Sequence, residues 1–195
     1  MNSSLVYWAL HALGVRAAST QTTAAERACL ARHVAGRASI VELGVMHGAT
    51  TRLLCQAAAP GGRVTAVDPF PPGRLGVSFE FAIARREVRR GGGAPCRFVR
   101  ATSAGALAAW RDPIDFLFID ADHSWDAIAA DWQGWTPFVV EGGIVALHDS
   151  RPLPGRQVYD SARYTETVVL RDPAWTVVDV ADSLTVVRRV AAPPA

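Results

Sequence analysis

The sequence contains no lysine, because all twenty of its basic side chains are arginine, and the formal net charge of the 195 residues is only +2. Arginine keeps its proton in proteins. The chain therefore has no lysine to act as a base, to form a Schiff base or to bind phosphate in a P-loop. The small net charge gives no indication of a nucleic-acid partner.

Cysteine is also scarce, and the three thiols, Cys29, Cys55 and Cys96, form no C-x-x-C pair. A disulfide framework or a structural zinc site is therefore not expected. The first residues lack the basic start, apolar core and cleavage site of a signal peptide. No apolar run approaches the roughly 20 residues that span a bilayer. We therefore expect a cytoplasmic protein without a membrane partner.

Short apolar segments alternate with helical patterns along the whole chain, and the length favours one domain. Strands are predicted at 39–43, 63–67, 96–99, 114–119 and 143–147, with a closing hairpin of 175–180 and 184–190. Helices are predicted at 3–15, 23–36, 49–59, 77–90, 103–110, 124–135 and 156–169. This order predicts an α/β fold: a doubly wound, mostly parallel seven-stranded sheet with helices on both faces and a C-terminal antiparallel hairpin.

The first predicted strand runs through a glycine-containing turn into a helix, as V-E-L-G-V-M-H-G-A-T-T from Val41 to Thr51. Gly44 and Gly48 would let a ligand approach the backbone, and the helix offers free N–H groups. The turn is not G-x-G-x-x-G, because Met46 stands where the second glycine would be. Asp68 ends the second strand about 20 residues later, where a carboxylate can bind both hydroxyls of a ribose. A turn or cap aspartate is the alternative, and the glycine turn makes ribose binding the favoured interpretation.

The segment I-D-F-L-F-I-D-A-D-H, from Ile114 to His123, is a buried strand that ends in two carboxylates and an imidazole. Ligands of open α/β sheets bind beyond the carboxyl ends of the strands, so Asp120 and His123 are candidate site residues. Asp122 is a further ligand, a helix cap or a solvated residue, with the cap favoured. His148 precedes Asp149 and is expected to point to the opposite side of its strand and to pack there.

Together these motifs resemble a known family. E-L-G-V-M-H-G-A-T followed by A-V-D is similar to the cofactor-binding start of class I S-adenosylmethionine-dependent methyltransferases, especially O-methyltransferases of the catechol and caffeoyl-CoA type. D-A-D-H-S-W and A-L-H-D-S resemble bacterial enzymes that methylate sugar hydroxyls of antibiotics. The resemblance covers about residues 38–150 and implies one methyltransferase domain over 1–195. Within it, 1–36 would hold N-terminal helices, 37–150 the cofactor-binding core, and 151–195 a substrate-side loop, a helix and the hairpin.

The resemblance also implies roles for individual residues. The cofactor contacts would be Glu42, Gly44 and Gly48 around the methionine part, Thr50 near its carboxylate, Asp68 at the ribose, Ser103 beside the adenine, and Asp120. A divalent metal, expected to be Mg²⁺, would be bound by Asp120, Asp149 and Ser150, and His123 would be the catalytic base. Ser150 replaces the asparagine of the catechol and caffeoyl-CoA enzymes, and His123 stands where they have lysine. A cap residue before Ser124 is the alternative for His123.

The sequence therefore predicts O-methylation of a hydroxyl of a small molecule, a sugar or phenolic natural product, with S-adenosylmethionine as donor. The alternatives are a metal-independent methyltransferase on the same fold and a protein that binds S-adenosylmethionine without turnover. No nucleic-acid or membrane partner is expected, and a homo-oligomer remains an open possibility.

Overall fold

Seven strands form one sheet in the order β3-β2-β1-β4-β5-β7-β6 in a computed structural model that describes residues 3–73 and 76–190. The strands are β1 Ser39–Leu43, β2 Arg63–Val67, β3 Cys96–Val99, β4 Ile114–Ile119, β5 Val139–Leu147, β6 Trp175–Ala181 and β7 Leu184–Arg189. The first five are parallel, and β7 is antiparallel to both of its neighbours. The predicted fold class and hairpin are thereby confirmed. The predicted loop from Pro69 to Gly76 includes residues 74 and 75, which lie outside the described residues.

Seven α-helices accompany the sheet in the described ranges. They are α1 Ser3–Ala12, α2 Ala24–Val34, α3 Ala49–Ala57, α4 Phe79–Gly91, α5 Ser103–Leu107, α6 Trp125–Trp135 and α7 Asp160–Thr167. Short 3-10 turns follow at Thr136–Phe138 and Val169–Arg171. Within the described part of the chain, none of the helices combines the length and apolarity needed to cross a bilayer.

Several element boundaries differ from the sequence-based prediction, and the two largest differences, at the starts of β5 and α7, have local causes. β5 begins at Val139 and not at Gly143, because Val139 already pairs with Ile114 of β4. An irregularity that contains Gly142, with φ +73°, separates this pair from the regular ladder that starts at Ile144. The helix predicted from residue 156 begins only at Asp160. Tyr159, the residue before α7, has an extended conformation with φ −97° and ψ 161°, so the helical conformation begins only after it.

Strand β4 is apolar without alternation because both of its faces are covered. Phe116 and Phe118 belong to the cluster that α2 and α3 complete with Leu30 and Leu54. Leu117 and Ile119 belong to the cluster on the other face, which includes Trp132 and Trp135 of α6. Burial of each such side chain contributes roughly 1.5–3 kcal/mol. The strand therefore holds the following segment firmly at the carboxyl edge of the sheet.

Backbone hydrogen bonds continue the parallel ladder one residue beyond several strands. They run from Gly44 N to Val67 O (2.9 Å), from Asp68 N to Val99 O (3.1 Å), from Asp120 N to Leu43 O (2.8 Å) and from His148 N to Ile119 O (3.0 Å). These bonds fix the first residues after β1, β2, β4 and β5 in one row. The row forms the floor of the candidate site.

Candidate active site

A cleft of about 830 Å³ lies along the carboxyl edge of β1, β2 and β4. Seven of the ten site residues predicted from the sequence line it: Glu42, Gly44, Thr50, Asp68, Ser103, Asp120 and His123. Gly48, Asp149 and Ser150 lie outside this lining. The cleft thus brings the glycine turn, the acid after β2 and the end of β4 to one cavity.

The two glycines of the turn after β1 are required by neighbouring backbone as well as by any ligand. Gly44 has φ +87°, and a Cβ added there would lie 2.0 Å from the carbonyl oxygen of Asp120. Gly48 has φ +74°, and a Cβ there would lie 2.8 Å from the Cα of Ala84 in α4. L-residues rarely adopt such φ values. The sequence alone could not separate this packing requirement from ligand approach.

Asp68 is half-buried, and it also holds the turn together. Its Oδ2 accepts hydrogen bonds from the amides of Val45 (3.0 Å) and Met46 (3.2 Å), and its Oδ1 accepts one from the amide of Phe70 (2.7 Å). A carboxylate has about four lone-pair sites, so acceptor capacity remains for ligand hydroxyls. Both sequence interpretations, the turn residue and the ribose acceptor, are compatible with this geometry.

Glu42 is fully buried below the turn. The hydroxyl of Thr51 donates to its Oε2, whereas Oε1 has no partner among the described residues. Burial raises the pKa of Glu42 well above its usual value, and the charges of Asp120 and Asp68 raise it further. The carboxyl group therefore favours its neutral form, which can donate a hydrogen bond toward a ligand.

The opposite end of the cleft contains Ser103, in the first turn of α5. Its hydroxyl donates to the carboxylate of Asp131, and the indole Nε1 of Trp135 donates to its Oγ over 2.7 Å. Asp131 also lines the cleft, and burial raises the pKa of its carboxyl group. No sequence motif singles out Asp131, since it stands in the middle of α6. Thr50 is buried in the first turn of α3, beside the glycine turn.

His148 takes part in the site, and the expectation that it packs on the opposite side of the strand is wrong. Its Nδ1 lies 2.9 Å from Asp120 Oδ1 and 3.5 Å from Asp149 Oδ2. Its Nε2 lies 3.3 Å from Oε2 of Glu26. Burial lowers the pKa of His148, but the carboxylates of Asp120 and Glu26 outweigh it and raise the pKa to about 10. Strand alternation fails here because Asp149 has φ +47°, so the chain leaves the strand conformation.

His123 lies at the mouth of the same cluster. Its Nε2 is 3.5 Å from Asp149 Oδ2, and its ring centroid is 4.8 Å from that of Tyr159. The backbone carbonyl of His123 accepts a hydrogen bond from the amide of Ser161 at the start of α7. The loop before α7 therefore reaches the reaction end of the cleft, which Tyr159 also lines. The sequence had given no sign of Tyr159.

Among the described residues, Asp120, His123 and His148 offer donor atoms that all lie within 4.8 Å of one another, which suits a metal ion. Ser150 Oγ, by contrast, lies 2.8 Å from both the Ser183 carbonyl oxygen and Thr185 Oγ1. The role of Ser150 as a metal ligand stays a prediction, and it would require the hydroxyl to give up its hydrogen bonds to Ser183 and Thr185. Asp122 accepts the Ser124 amide in a turn before α6, but the N-cap residue is Ser124, so Asp122 is not the helix cap that the favoured interpretation expected.

Comparison with known proteins identifies the family of the chain. A sequence model of a family described as "Methyltransferase domain" matches residues 41–150, which is more than half of the chain. The chain therefore belongs to this family, and its identification as a class I S-adenosylmethionine-dependent methyltransferase is confirmed.

Solved structures of O-methyltransferases share the fold at low sequence identity. An O-methyltransferase from Bacillus cereus in complex with SAH has a TM-score of 0.66 and 17% identity, covering 98% of this chain and 92% of that one. TomG from Streptomyces achromogenes, in complex with SAM and involved in tomaymycin synthesis, has a TM-score of 0.67 and 15% identity, covering 98% and 91%. A candidate caffeoyl-CoA O-methyltransferase from Staphylococcus aureus has a TM-score of 0.61 and 14% identity, covering 97% and 93%. At these identities the structures establish the fold alone.

Proposed function

We propose that this protein transfers a methyl group from S-adenosylmethionine to a hydroxyl of a small molecule, a sugar or a phenolic natural product, with a divalent cation and His123 as base. The observation that carries the proposal is that Asp120 and His123 line the same cofactor-sized cleft and that Asp149, outside its lining, lies 3.5 Å from Nε2 of His123. The metal predicted from the sequence is Mg²⁺. The cytoplasmic location and the absence of nucleic-acid and membrane partners stay predictions.

The cleft offers a place for each part of the methyl donor. The methionine part would lie against the glycine turn, with Glu42 below it and Thr50 close to its carboxylate. Asp68 would accept the ribose hydroxyls, and Ser103 would lie beside the adenine. Anionic groups are stabilised near the first turn of a helix, which suits Thr50 in α3.

Residues of the chain can remove the proton of the acceptor hydroxyl, which is a poor nucleophile while it is protonated. His123 would take the acceptor's hydroxyl proton at Nε2, and the carboxylate of Asp149, 3.5 Å away, would stabilise the imidazolium that forms. The oxygen would then bond to the methyl carbon while the carbon–sulfur bond breaks and its electron pair stays on sulfur. A bound divalent cation supplies one further effect, a lower pKa of the acceptor hydroxyl. Correct alignment of the two reactants provides much of the rate.

Methyl transfer without a metal is the second candidate function. It is favoured by Ser150, whose hydroxyl contacts β7 through Ser183 and Thr185. In that case His123 and Asp149 would perform the same proton transfer alone.

The test is a turnover assay with purified protein, S-adenosylmethionine and a panel of sugar and phenolic hydroxyl acceptors, in which S-adenosylhomocysteine release and the methylated product are both measured. The assay is repeated after EDTA treatment and after a divalent ion is added back. Loss and recovery of turnover would support the metal-dependent mechanism, whereas turnover that EDTA leaves unchanged would favour the second candidate. Cofactor binding without product from any acceptor would contradict both and favour a non-catalytic binding protein.

A further inference from the structure

His148 is a buried imidazole whose two nitrogens both face carboxylates. Nδ1 points toward Asp120 and Asp149, at 2.9 and 3.5 Å, and Nε2 points toward Glu26 at 3.3 Å. Only 3% of the residue is exposed, and neither nitrogen has a partner in hydrogen-bond geometry among the described residues. Buried polar atoms without partners are rare and costly, so the two nitrogens of this ring lack the partners that buried nitrogens normally have.

Glu26 holds the far side of that ring in a fixed position. Its Oε1 accepts the amide and hydroxyl hydrogens of Ser183, at 3.0 and 2.6 Å, and its Oε2 accepts the Thr23 amide at 2.7 Å. The carboxylate is fully buried and tied to both α2 and the β6–β7 turn. A histidine that binds a metal through one nitrogen commonly gives the other N–H to a carboxylate, which fixes the ring. Glu26 Oε2 lies 3.3 Å from Nε2 of His148 but outside hydrogen-bond geometry, so a small rotation of the ring would complete this arrangement and leave Nδ1 for the metal.

One proton on Nδ1 cannot satisfy both carboxylates. A divalent cation bound at this point would contact His148 Nδ1 and Asp120 Oδ1 together. The carboxylate of Asp149, 3.5 Å from the same nitrogen, would have to turn toward Asp120 to join them, since it lies outside the cluster of donor atoms within 4.8 Å of one another. The cation would also offset more of the negative charge of Glu26, Asp120 and Asp149 than a proton does. Around an ion with bonds of about 2.1 Å, neighbouring ligand atoms lie about 3.0 Å apart in octahedral and about 3.4 Å apart in tetrahedral coordination. The separations of 2.9 and 3.5 Å are close to these values.

We infer that His148 binds the divalent ion through Nδ1, beside Asp120 and Asp149, and that the centre prefers ions that accept imidazole nitrogen, such as Mn²⁺, Co²⁺ or Zn²⁺, over Mg²⁺. Mg²⁺ takes oxygen ligands in strict octahedral geometry, whereas imidazole suits transition ions and zinc. Although its donor atom belongs to the same cluster as those of Asp120 and His148, we assign His123 to the base and not to the ligand set, because the proposed function requires an imidazole free to accept a proton. The inference refines the metal site of the proposed function and rests on that function for the ion's role, but binding alone can test it.

The experiment uses the full chain, freed of metal by chelation, and titrates it with Mg²⁺, Mn²⁺, Co²⁺ and Zn²⁺ by calorimetry. Pulsed EPR of the Mn²⁺ form then detects nitrogen bound to the ion. The expected results are weaker binding of Mg²⁺ than of the other three ions, and a nitrogen signal that persists in His123→Ala and disappears in His148→Ala. Glu26→Gln should weaken Mn²⁺ binding about 10- to 100-fold, as loss of an outer partner does. If His148→Ala fails to fold, the signal in the wild type and in His123→Ala still decides the question.

His33→Ala is the matched control, because His33 lies in a second potential cluster with Cys29 and Asp179, on α2 and β6. It should leave the Mn²⁺ nitrogen signal unchanged. A bound ion without nitrogen, a signal lost in His123→Ala, or Mg²⁺ binding as tight as Mn²⁺ would each overturn the inference. Nitrogen-bound Mn²⁺ in a protein that methylates no acceptor would refute the proposed function instead. Methyl transfer by a protein whose bound ion shows no nitrogen would refute the inference alone.

Discussion

Glu42 shows how burial can set the charge of a single residue. Its folded-state pKa is raised, so its contribution to stability is complete below the unfolded pKa, about 4.5, and is lost as pH rises through the folded pKa. Glu42→Gln keeps the shape of the neutral acid but cannot ionise, so the variant lacks this loss of stability at higher pH. We therefore expect the free energy of unfolding, measured by urea at several pH values, to fall less above pH 5 in the variant than in the wild type.

The control for Glu42→Gln is Glu141→Gln, a change of the same chemistry at an exposed position. It should retain the pH dependence of the wild type. Equal pH dependence in Glu42→Gln and the wild type would mean that Glu42 is ionised in the folded protein.

His123 is the residue to which the proposed mechanism assigns the proton transfer. His123→Ala should reduce kcat by about 100-fold or more, since general-base catalysis contributes typically 10²–10⁴-fold. Binding of S-adenosylhomocysteine, measured by calorimetry, should stay nearly intact, because only the reaction end of the cleft changes. His33→Ala, on the far helix α2, should leave kcat unchanged. A His123→Ala enzyme with wild-type kcat would exclude this residue as base.

At the scale of secondary-structure elements, Gly48 sets how closely α3 approaches α4. Gly48→Ala places a Cβ 2.8 Å from Ala84 Cα at φ +74°. Gly36→Ala is a matched control with φ +80° and nothing within 4 Å. The left-handed conformation should cost about 1–2 kcal/mol at both positions, and overpacking about 1–3 kcal/mol more at Gly48. Urea unfolding measures the loss of unfolding free energy in each variant. Equal losses would show that α4 moves away from the added Cβ without an energetic cost.

The strands β1 to β4 were predictable from the sequence because each is a short, mainly apolar segment with glycine, proline or aspartate next to at least one of its ends. β1, β2, β3 and β4 have the bounds predicted for them. Seven of the ten predicted site residues also line the cleft. His148 was missed because the alternation rule holds only within a strand, and the chain turns at Asp149. Glu26 was missed because its place in a capping box with Thr23 is by itself a sufficient reason for a glutamate at that position.

At the scale of the whole molecule, the N-terminal helix α2 and the C-terminal hairpin close around the site from behind. Glu26 binds Ser183 in the β6–β7 turn, and Thr23 donates to Asp182 in the same turn over 2.6 Å. These contacts join segments far apart in the chain, so local sequence patterns cannot reveal them. They hold the buried carboxylate of Glu26 beside His148. The position of His148 therefore depends on the C-terminal hairpin as well as on β5.

Cofactor binding should be measurable as a property of the whole fold. A ligand at 100 times its Kd stabilises the folded state by about 2.7 kcal/mol. For a chain of this length, that corresponds to a rise in Tm of about 5–11 °C. We expect S-adenosylhomocysteine to produce such a rise in differential scanning calorimetry.

Asp68→Ala should reduce this rise at the same ligand concentration, because it removes hydrogen bonds from a charged acceptor to the ribose. Each such bond contributes about 1.5–3 kcal/mol, so Kd should increase roughly 10- to 150-fold. Asp115→Ala provides the control, since Asp115 also accepts two backbone amides, those of Ala38 and Ser39, but at the amino end of the sheet. It should lower the starting Tm and leave the ligand-induced rise intact. Equal rises in the two variants would leave Asp68 with the structural role alone, as the acceptor of the Val45, Met46 and Phe70 amides.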